Sequence, residues 1–314
     1  MRLFAAIMVG MLISACAKDE ATVEAETIQL PIQGAVRELR IADDSLYIAG
    51  DHNRGGGLVM SDTLLTRFTR LVTLPAGVYS LFRFDGSLWV WTAKATLYHG
   101  PNLKHLEPFY FVRKDWIGNL YKQPIKSAAL PGCNAFVCGG GQLKFGVAFV
   151  HKCGSNRWYK YTLDNELEVL IPCDDSVFAF GNGVRLSIAA RDDTTWHKVV
   201  IEGTHIIDAV RLGNGDLVAI GTKGQILKST NRGLKWKMIR KVRGTFFNVA
   251  AQIEGGMVAF GNEGVAVVVK GESVKKLYID PPFDIISAVH VGDHYVLGTR
   301  TGQLLRIPVS AIDS

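Results

Sequence analysis

After residue 12 the chain has no apolar run long enough to cross a bilayer, which excludes later membrane-spanning helices. It has no His-Glu-x-x-His, no Gly-x-Ser-x-Gly and no phosphate loop with its lysine in place, so the chemistries that rest on those spacings find no footing. The glycine triplets at 55–57 and 139–141 are followed by no helix and read as hairpin turns, not phosphate cradles. Cysteine is scarce, with five in 314 residues, and no acidic residue falls between Leu217 and Asn248 although the chain carries 29 of them.

Apolar sequence is concentrated first at the N-terminus. Met1-Arg2 precedes a short apolar stretch from Leu3 to Leu12 and then Ile13-Ser14-Ala15-Cys16. A basic start, a short apolar segment and small residues before a cut describe a secretory signal rather than a span. Small residues directly before a cysteine resemble the lipobox of bacterial lipoproteins. That resemblance implies a diacylglyceryl group on the Cys16 thiol, cleavage after residue 15, and a chain tethered by several acyl chains without spanning the membrane. Ala17, in place of an aspartate, points in that family to the outer membrane facing the periplasm. The rival is an ordinary secretory signal with a chance cysteine. Residues 16–26 are small and acidic without aromatics, as in a flexible tether.

Export permits disulfides, and Cys133, Cys138, Cys153 and Cys173 fall within one repeat unit. If 134–139 and 146–152 pair as one hairpin, Cys133 and Cys153 sit at its open end and form the favoured bridge. A zinc site is the rival, but the spacing lacks a close Cys-x-x-Cys pair.

Beyond the signal, one pattern recurs seven times at spacings near forty residues: an apolar run ending in glycine or a small residue. The copies are Leu46–Gly50, Leu88–Thr92, Ala135–Gly139, Val177–Gly181, Leu217–Gly221, Met257–Gly261 and Tyr295–Gly298. A strand and turn precede the run, as in Ile285–Val291, and a third strand follows, as in Gln225–Ser229. Most copies add a fourth, as in Trp158–Leu163. Stacked four-stranded units at this period predict an all-β, seven-bladed β-propeller of antiparallel blades spanning residues 27–314. Too few residues follow Pro308 for a full fourth strand, so Thr27–Ile32 is expected to close the ring and hide its edges.

The fifth unit carries Ser229-Thr-Asn231-Arg-Gly233-Leu-Lys-Trp236. This resembles the Asp-box, the bacterial neuraminidase repeat, with Asn231 where the family usually has aspartate. The resemblance implies a structural role, in which Ser229 and Asn231 bond turn amides, Gly233 takes a conformation closed to other residues, and Trp236 packs between blades. Fragments recur at Asp192–Trp196 and Gly154–Trp158. With the lipobox and Gly221–Ser229, the chain looks most like the propellers that resemble photosystem II assembly and stability factors. That implies a non-catalytic, protein-binding or assembly scaffold, membrane-anchored in the cell envelope, monomeric, without cofactor or metal.

Two alternatives stand beside it. A sialidase-like, glycan-binding or glycoside-hydrolysing propeller would need clustered arginines and carboxylates. Arg306-Ile307-Pro308 matches a short sialidase signature, but it lies after the Asp-box instead of before it. An immunity or exclusion lipoprotein is the second alternative.

Lys228, Arg232, Lys235, Lys237, Arg240, Lys241 and Arg243 crowd the acid-free stretch. They form a candidate partner-binding patch for an acidic protein, phospholipid headgroups or an anionic glycan, against the plainer reading of a solvated edge. Nucleic acid is excluded by export. His290 and His294 flank a turn where a metal is conceivable and solvated histidines are the simpler account. Tyr110, Trp116 and Tyr121 lie in a long link, as a core cap or a ligand surface.

Overall fold

The computed structural model describes residues 21–30, 34–42, 44–52, 55–92, 96–109, 126–129, 135–140, 146–151, 158–163, 167–173, 176–181, 185–190, 196–200 and 205–313. Two strands come first, β1 (Ala21–Glu24) and β2 (Glu26–Gln29). The first sheet is β3 (Val36–Ala42), β4 (Ser45–His52), β5 (Gly55–Asp62) and β6 (Phe68–Leu74). The second is β7 (Val78–Phe84), β8 (Ser87–Thr92), β9 (Leu97–Gly100) and β10 (Glu107–Phe109). The third is β11 (Lys126–Ala129), β12 (Ala135–Gly140), β13 (Gly146–His151) and β14 (Trp158–Leu163). The fourth is β15 (Leu167–Cys173), β16 (Ser176–Gly181), β17 (Arg185–Ala190) and β18 (Trp196–Val200). The fifth is β19 (Ile206–Arg211), β20 (Leu217–Gly221), β21 (Gln225–Ser229) and β22 (Lys237–Lys241). The sixth is β23 (Phe247–Ile253), β24 (Gly256–Gly261), β25 (Val265–Lys270) and β26 (Ser273–Asp280). The seventh is β27 (Ile285–Val291), β28 (His294–Thr299) and β29 (Gln303–Pro308), followed by a short helix, Val309–Asp313.

Within each of these sheets consecutive strands pair antiparallel. The first strand of each sheet lies against that of the next, β3 on β7, β7 on β11, β11 on β15, β15 on β19, β19 on β23, β23 on β27, and β27 back on β3. The apolar core is therefore divided among the interfaces between sheets. Period-two alternation decides which interface a side chain joins. On β20, Leu217 and Ala219 pack with Phe178 and Phe180 of the fourth sheet, while Val218 and Ile220 pack with Met257 and Ala259 of the sixth.

The recurrent apolar run is the second strand of its sheet in every copy, and a bulge explains its small last residue. The register slips at the start of β3, β7, β15, β19, β23 and β27, and such a bulge pushes backbone toward the partner strand. A Cβ on Gly50 would stand 2.2 Å from the Ala35 carbonyl oxygen, and one on Gly261 would stand 2.2 Å from that of Phe246. Gly55 to Gly57, expected in a hairpin turn, instead begin β5. A Cβ on Gly56 would meet the Ala76 carbonyl oxygen at 2.2 Å, so close backbone approach accounts for the glycine there.

The N-terminal segment differs most from expectation. Residues 16–26 were expected as a free tether, but β1 pairs in parallel with β26, from Ala21 opposite Leu277 to Glu24 opposite Asp280. The physical reason is the open outer edge of β26, whose unpaired backbone groups accept a further strand, together with Val23, which is buried in the core between the sixth and seventh sheets. The Ala25 amide then donates to the Asp280 carbonyl at 2.8 Å, and the chain turns into β2. β2 pairs antiparallel with β29, from Glu26 opposite Arg306 to Gln29 opposite Gln303. It covers part of the expected 27–32 stretch; residues 31–33 lie outside the described residues.

Between the second and third sheets, His151 is enclosed by Phe84, Trp89 and Trp158 at centroid distances of 5.2, 5.4 and 4.9 Å. Its Nδ1 has no hydrogen-bond partner among the described residues. Burial holds the imidazole pKa below its ordinary value, with Asp85 opposing and His99 reinforcing that shift. A folded-state pKa below the unfolded one means that protons bind the unfolded chain preferentially, so stability present above about pH 6.5 is lost as pH falls below it. The melting temperature is expected to drop between pH 7.5 and the acid side of this window, and His151→Phe to flatten that part of the profile. A parallel drop in the variant, followed by calorimetry, would assign the acid sensitivity elsewhere.

Candidate functional site

The Ser229–Trp236 segment is a tight turn joining β21 to β22. The Ser229 hydroxyl donates to Asn231 Oδ1 at 2.9 Å and accepts the Gly233 amide at 2.8 Å, while Asn231 Oδ1 accepts the Lys235 amide at 2.8 Å. A neutral amide oxygen here does the acceptor work open to a carboxylate. Arg232 and Gly233 take φ of 60° and 82°. Trp236, 7% exposed, meets Phe180 of the fourth sheet edge-on at 5.5 Å. Its indole N–H has no acceptor among the described residues.

The basic residues do not form one patch. β22 pairs Lys237 with Lys228 and Lys241 with Gln225, so Lys237 and Lys241 stand at opposite ends of the strand, about 13 Å apart at ordinary strand rise. Lys228 is held by Asp216 at 2.8 Å, and hydrogen bonding from Lys228 lowers the Asp216 pKa. Asp216 lies one residue before the acid-free stretch, and the β20–β21 pairing brings it to Lys228. Lys235 and Lys237 are exposed at one end; Lys241 and Arg243 are exposed at the other, with Arg240 between.

At the Lys241 end the Val242 amide donates to the Gly224 carbonyl at 2.8 Å, which sets the Lys223 turn beside Lys241 and Arg243. Phe246 follows and is 63% exposed, with its carbonyl bonded by the Asn262 amide of the sixth sheet. This exposed aromatic, in the same loop as Arg243, was not singled out from sequence. The signal was available: of the adjacent Phe246 and Phe247, only Phe247 is buried.

At the Lys237 end a cavity of about 560 Å³ opens between β22 and the β25–β26 turn. Its walls include Lys228, Lys235, Trp236, Lys237 and Met238 from the fifth sheet and Glu272 from the sixth.

The remaining candidates separate. His294 pairs with Asp293 and the His290 ring lies tilted against that of Tyr295 at 5.2 Å; no group of three or more metal-ligating side chains occurs among the described residues. Tyr295 is pushed up to about 12, first by burial and then by Asp313. Arg306 pairs with Glu26 at 2.5 Å and bonds the Leu64 carbonyl at 3.2 Å, so this guanidinium fastens β2. Cys16, Cys133, Cys153, Tyr110, Trp116, Tyr121 and the Asp192–Asp193 fragment lie outside the described residues. β12 and β13 do pair as expected, with Ala135 opposite His151.

No protein-family model and no curated protein matches the sequence. The fold is nevertheless that of β-propellers. The WD40 β-propeller domain of Doa1 matches with a TM-score of 0.65 at 13% identity, over 92% of this chain and 98% of that one. YCF48 bound to D1 peptide matches with a TM-score of 0.69 at 15% identity, over 91% of this chain and 97% of that one. A catalytically inactive virginiamycin B lyase from Staphylococcus aureus, solved with quinupristin, matches with a TM-score of 0.71 at 9% identity, over 91% and 99%. These neighbours include a peptide-bound protein and an enzyme, so activity must be argued from the site and not from the fold.

Proposed function

We propose that this chain is an exported, lipid-anchored, non-catalytic propeller of seven blades that docks a partner protein in the bacterial envelope. The ring order of inner-strand contacts and the β2–β29 pairing support seven blades with closure by the N-terminal segment. The lipobox ending at Cys16 supports the anchor, and the Ser229–Trp236 turn supports an Asp-box whose role is structural. A propeller neighbour carrying a bound peptide supports protein binding.

One observation carries the docking reading: Phe246 stands exposed in the loop that follows Lys241 and Arg243, a loop the Val242–Gly224 bond ties to the Lys223 turn. An exposed aromatic in a loop that also carries cations fits an apolar side chain flanked by carboxylates, the combination that concentrates binding energy at interfaces. Capture of partners by the tagged lipoprotein from membranes tests it. Recovery of an acidic partner is expected to fall at least about tenfold for Phe246→Ala with Lys241→Glu and Arg243→Glu, equivalent to losing one hot spot. It is expected to persist with Lys235→Glu and Lys237→Glu. Equal recovery by all three proteins would reject this surface. Cys16→Ala separates anchoring from docking by moving the chain out of the detergent phase without changing capture.

A further inference from the structure

The cavity at the other end of the fifth sheet is amphipathic. Lys235 and Lys237 are exposed on its rim with no ion pair among the described residues. Met238 on its wall is 53% exposed and Leu234, in the adjoining turn, 46%. Lys228 is neutralised by Asp216. Glu272 sits on the opposite wall, and Lys275 is exposed three residues beyond it. Trp236 adds an indole donor without an acceptor among the described residues, whereas buried indoles normally find one.

The direction of β1 links this cavity to the anchor. Because β1 runs parallel to β26 and begins opposite Leu277, its N-terminal end points toward the Ser273 end of β26 and the Gly271–Glu272 turn that lines the cavity. Cys16 precedes Ala21 by five residues, a reach of at most about 17 Å for an extended chain. A bilayer holding Cys16 is thereby kept within that distance of Ala21, which stands four residues along β26 from its Ser273 end.

We infer that this rim rests on the membrane surface, with Lys235 and Lys237 on anionic phospholipid headgroups and Leu234 and Met238 at the acyl boundary. The inference rests on the proposed lipidation of Cys16. Lysines over apolar side chains suit an interface where charge meets hydrocarbon. It leaves the Phe246 end of the same sheet directed away from the bilayer, free for a protein.

The test uses the complete lipoprotein, reconstituted into vesicles of phosphatidylcholine alone or with phosphatidylglycerol added, and lysine acylation read by mass spectrometry. Lys235 and Lys237 are expected to label at least about fivefold less on the anionic vesicles at low salt, with protection lost as salt screens the headgroups. Lys104, exposed in the short turn between β9 and β10, is expected to label alike on both. Leu234→Asp with Met238→Asp is expected to restore labelling of the two lysines. Equal labelling on the two vesicle types overturns the proposal, as does protection produced by a soluble polyglutamate peptide but not by lipid, which would assign the rim to an acidic protein. Flotation with the neutral vesicles reads the anchor separately: a chain that fails to float refutes lipidation, whereas one that floats with both lysines equally labelled refutes only the docking.

Discussion

Deletion of residues 21–29 is expected to lower the melting temperature by about 10 °C, on the basis of about 5 kcal/mol lost at a domain of this size. The deletion removes both β1 and β2, and with them the ladders to β26 and β29. Each ladder hydrogen bond is worth about 1 kcal/mol net, and burial of Val23 adds to the sum. Two outer edges are uncovered at once, so aggregation should accompany the loss of stability. Point variants apportion the effect. Val23→Asp places a carboxylate in the core between the sixth and seventh sheets and is expected to detach β1. Ile28→Asp acts where Ile28 packs between the seventh and first sheets and is expected to detach β2. An unchanged transition in the deletion would show that neither strand contributes to holding the fold together. The proposed signal and Cys16 lie outside the deletion, so the proposed export can be followed in the same strain.

The architecture was legible where local pattern and tertiary demand coincide. β13's partner β14, together with β21 and β27, matches the expected bounds because each is a strand-forming run flanked by turn residues. The glycine that ends most second strands was visible as a repeat long before its cause, which is a bulge in a different strand. The strap was not legible. Ala21-Thr-Val-Glu24 is short and mostly exposed, and its partner lies some 250 residues on in sequence, so no local signal marks a parallel addition. The charge cluster was legible as composition but not as a surface. Seven basic residues close in sequence read as one patch, whereas antiparallel pairing sends Lys237 and Lys241 to opposite ends and a turn residue, Asp216, cancels Lys228.

Gly233→Ala should destabilise the propeller by about 2–3 kcal/mol, more than a surface turn usually costs. Two effects add. At φ of 82° an alanine is strained, worth about 1 kcal/mol by itself. Its Cβ would also stand 2.7 Å from Cζ of Phe180, which is fully buried against Trp236 and cannot retreat without disturbing the core between the fourth and fifth sheets. The second effect is separable. In a Phe180→Ala background the ring is gone, so Gly233→Ala should cost only the backbone part, about 1 kcal/mol. A double-mutant cycle by denaturant titration reads the difference directly. An unaltered cost in the two backgrounds would mean that the turn contributes only its own geometry. A coupling of more than about 1 kcal/mol, well beyond the additivity of independent sites, would mean that Ser229–Trp236 locks the fifth sheet to the fourth. In that case the turn also sets the position of the β22 strand, whose two ends carry the lipid-facing rim and the Phe246 surface. A loosened Gly233 variant should then lose partner capture at temperatures where it is still folded, although none of its changed atoms lies at that surface.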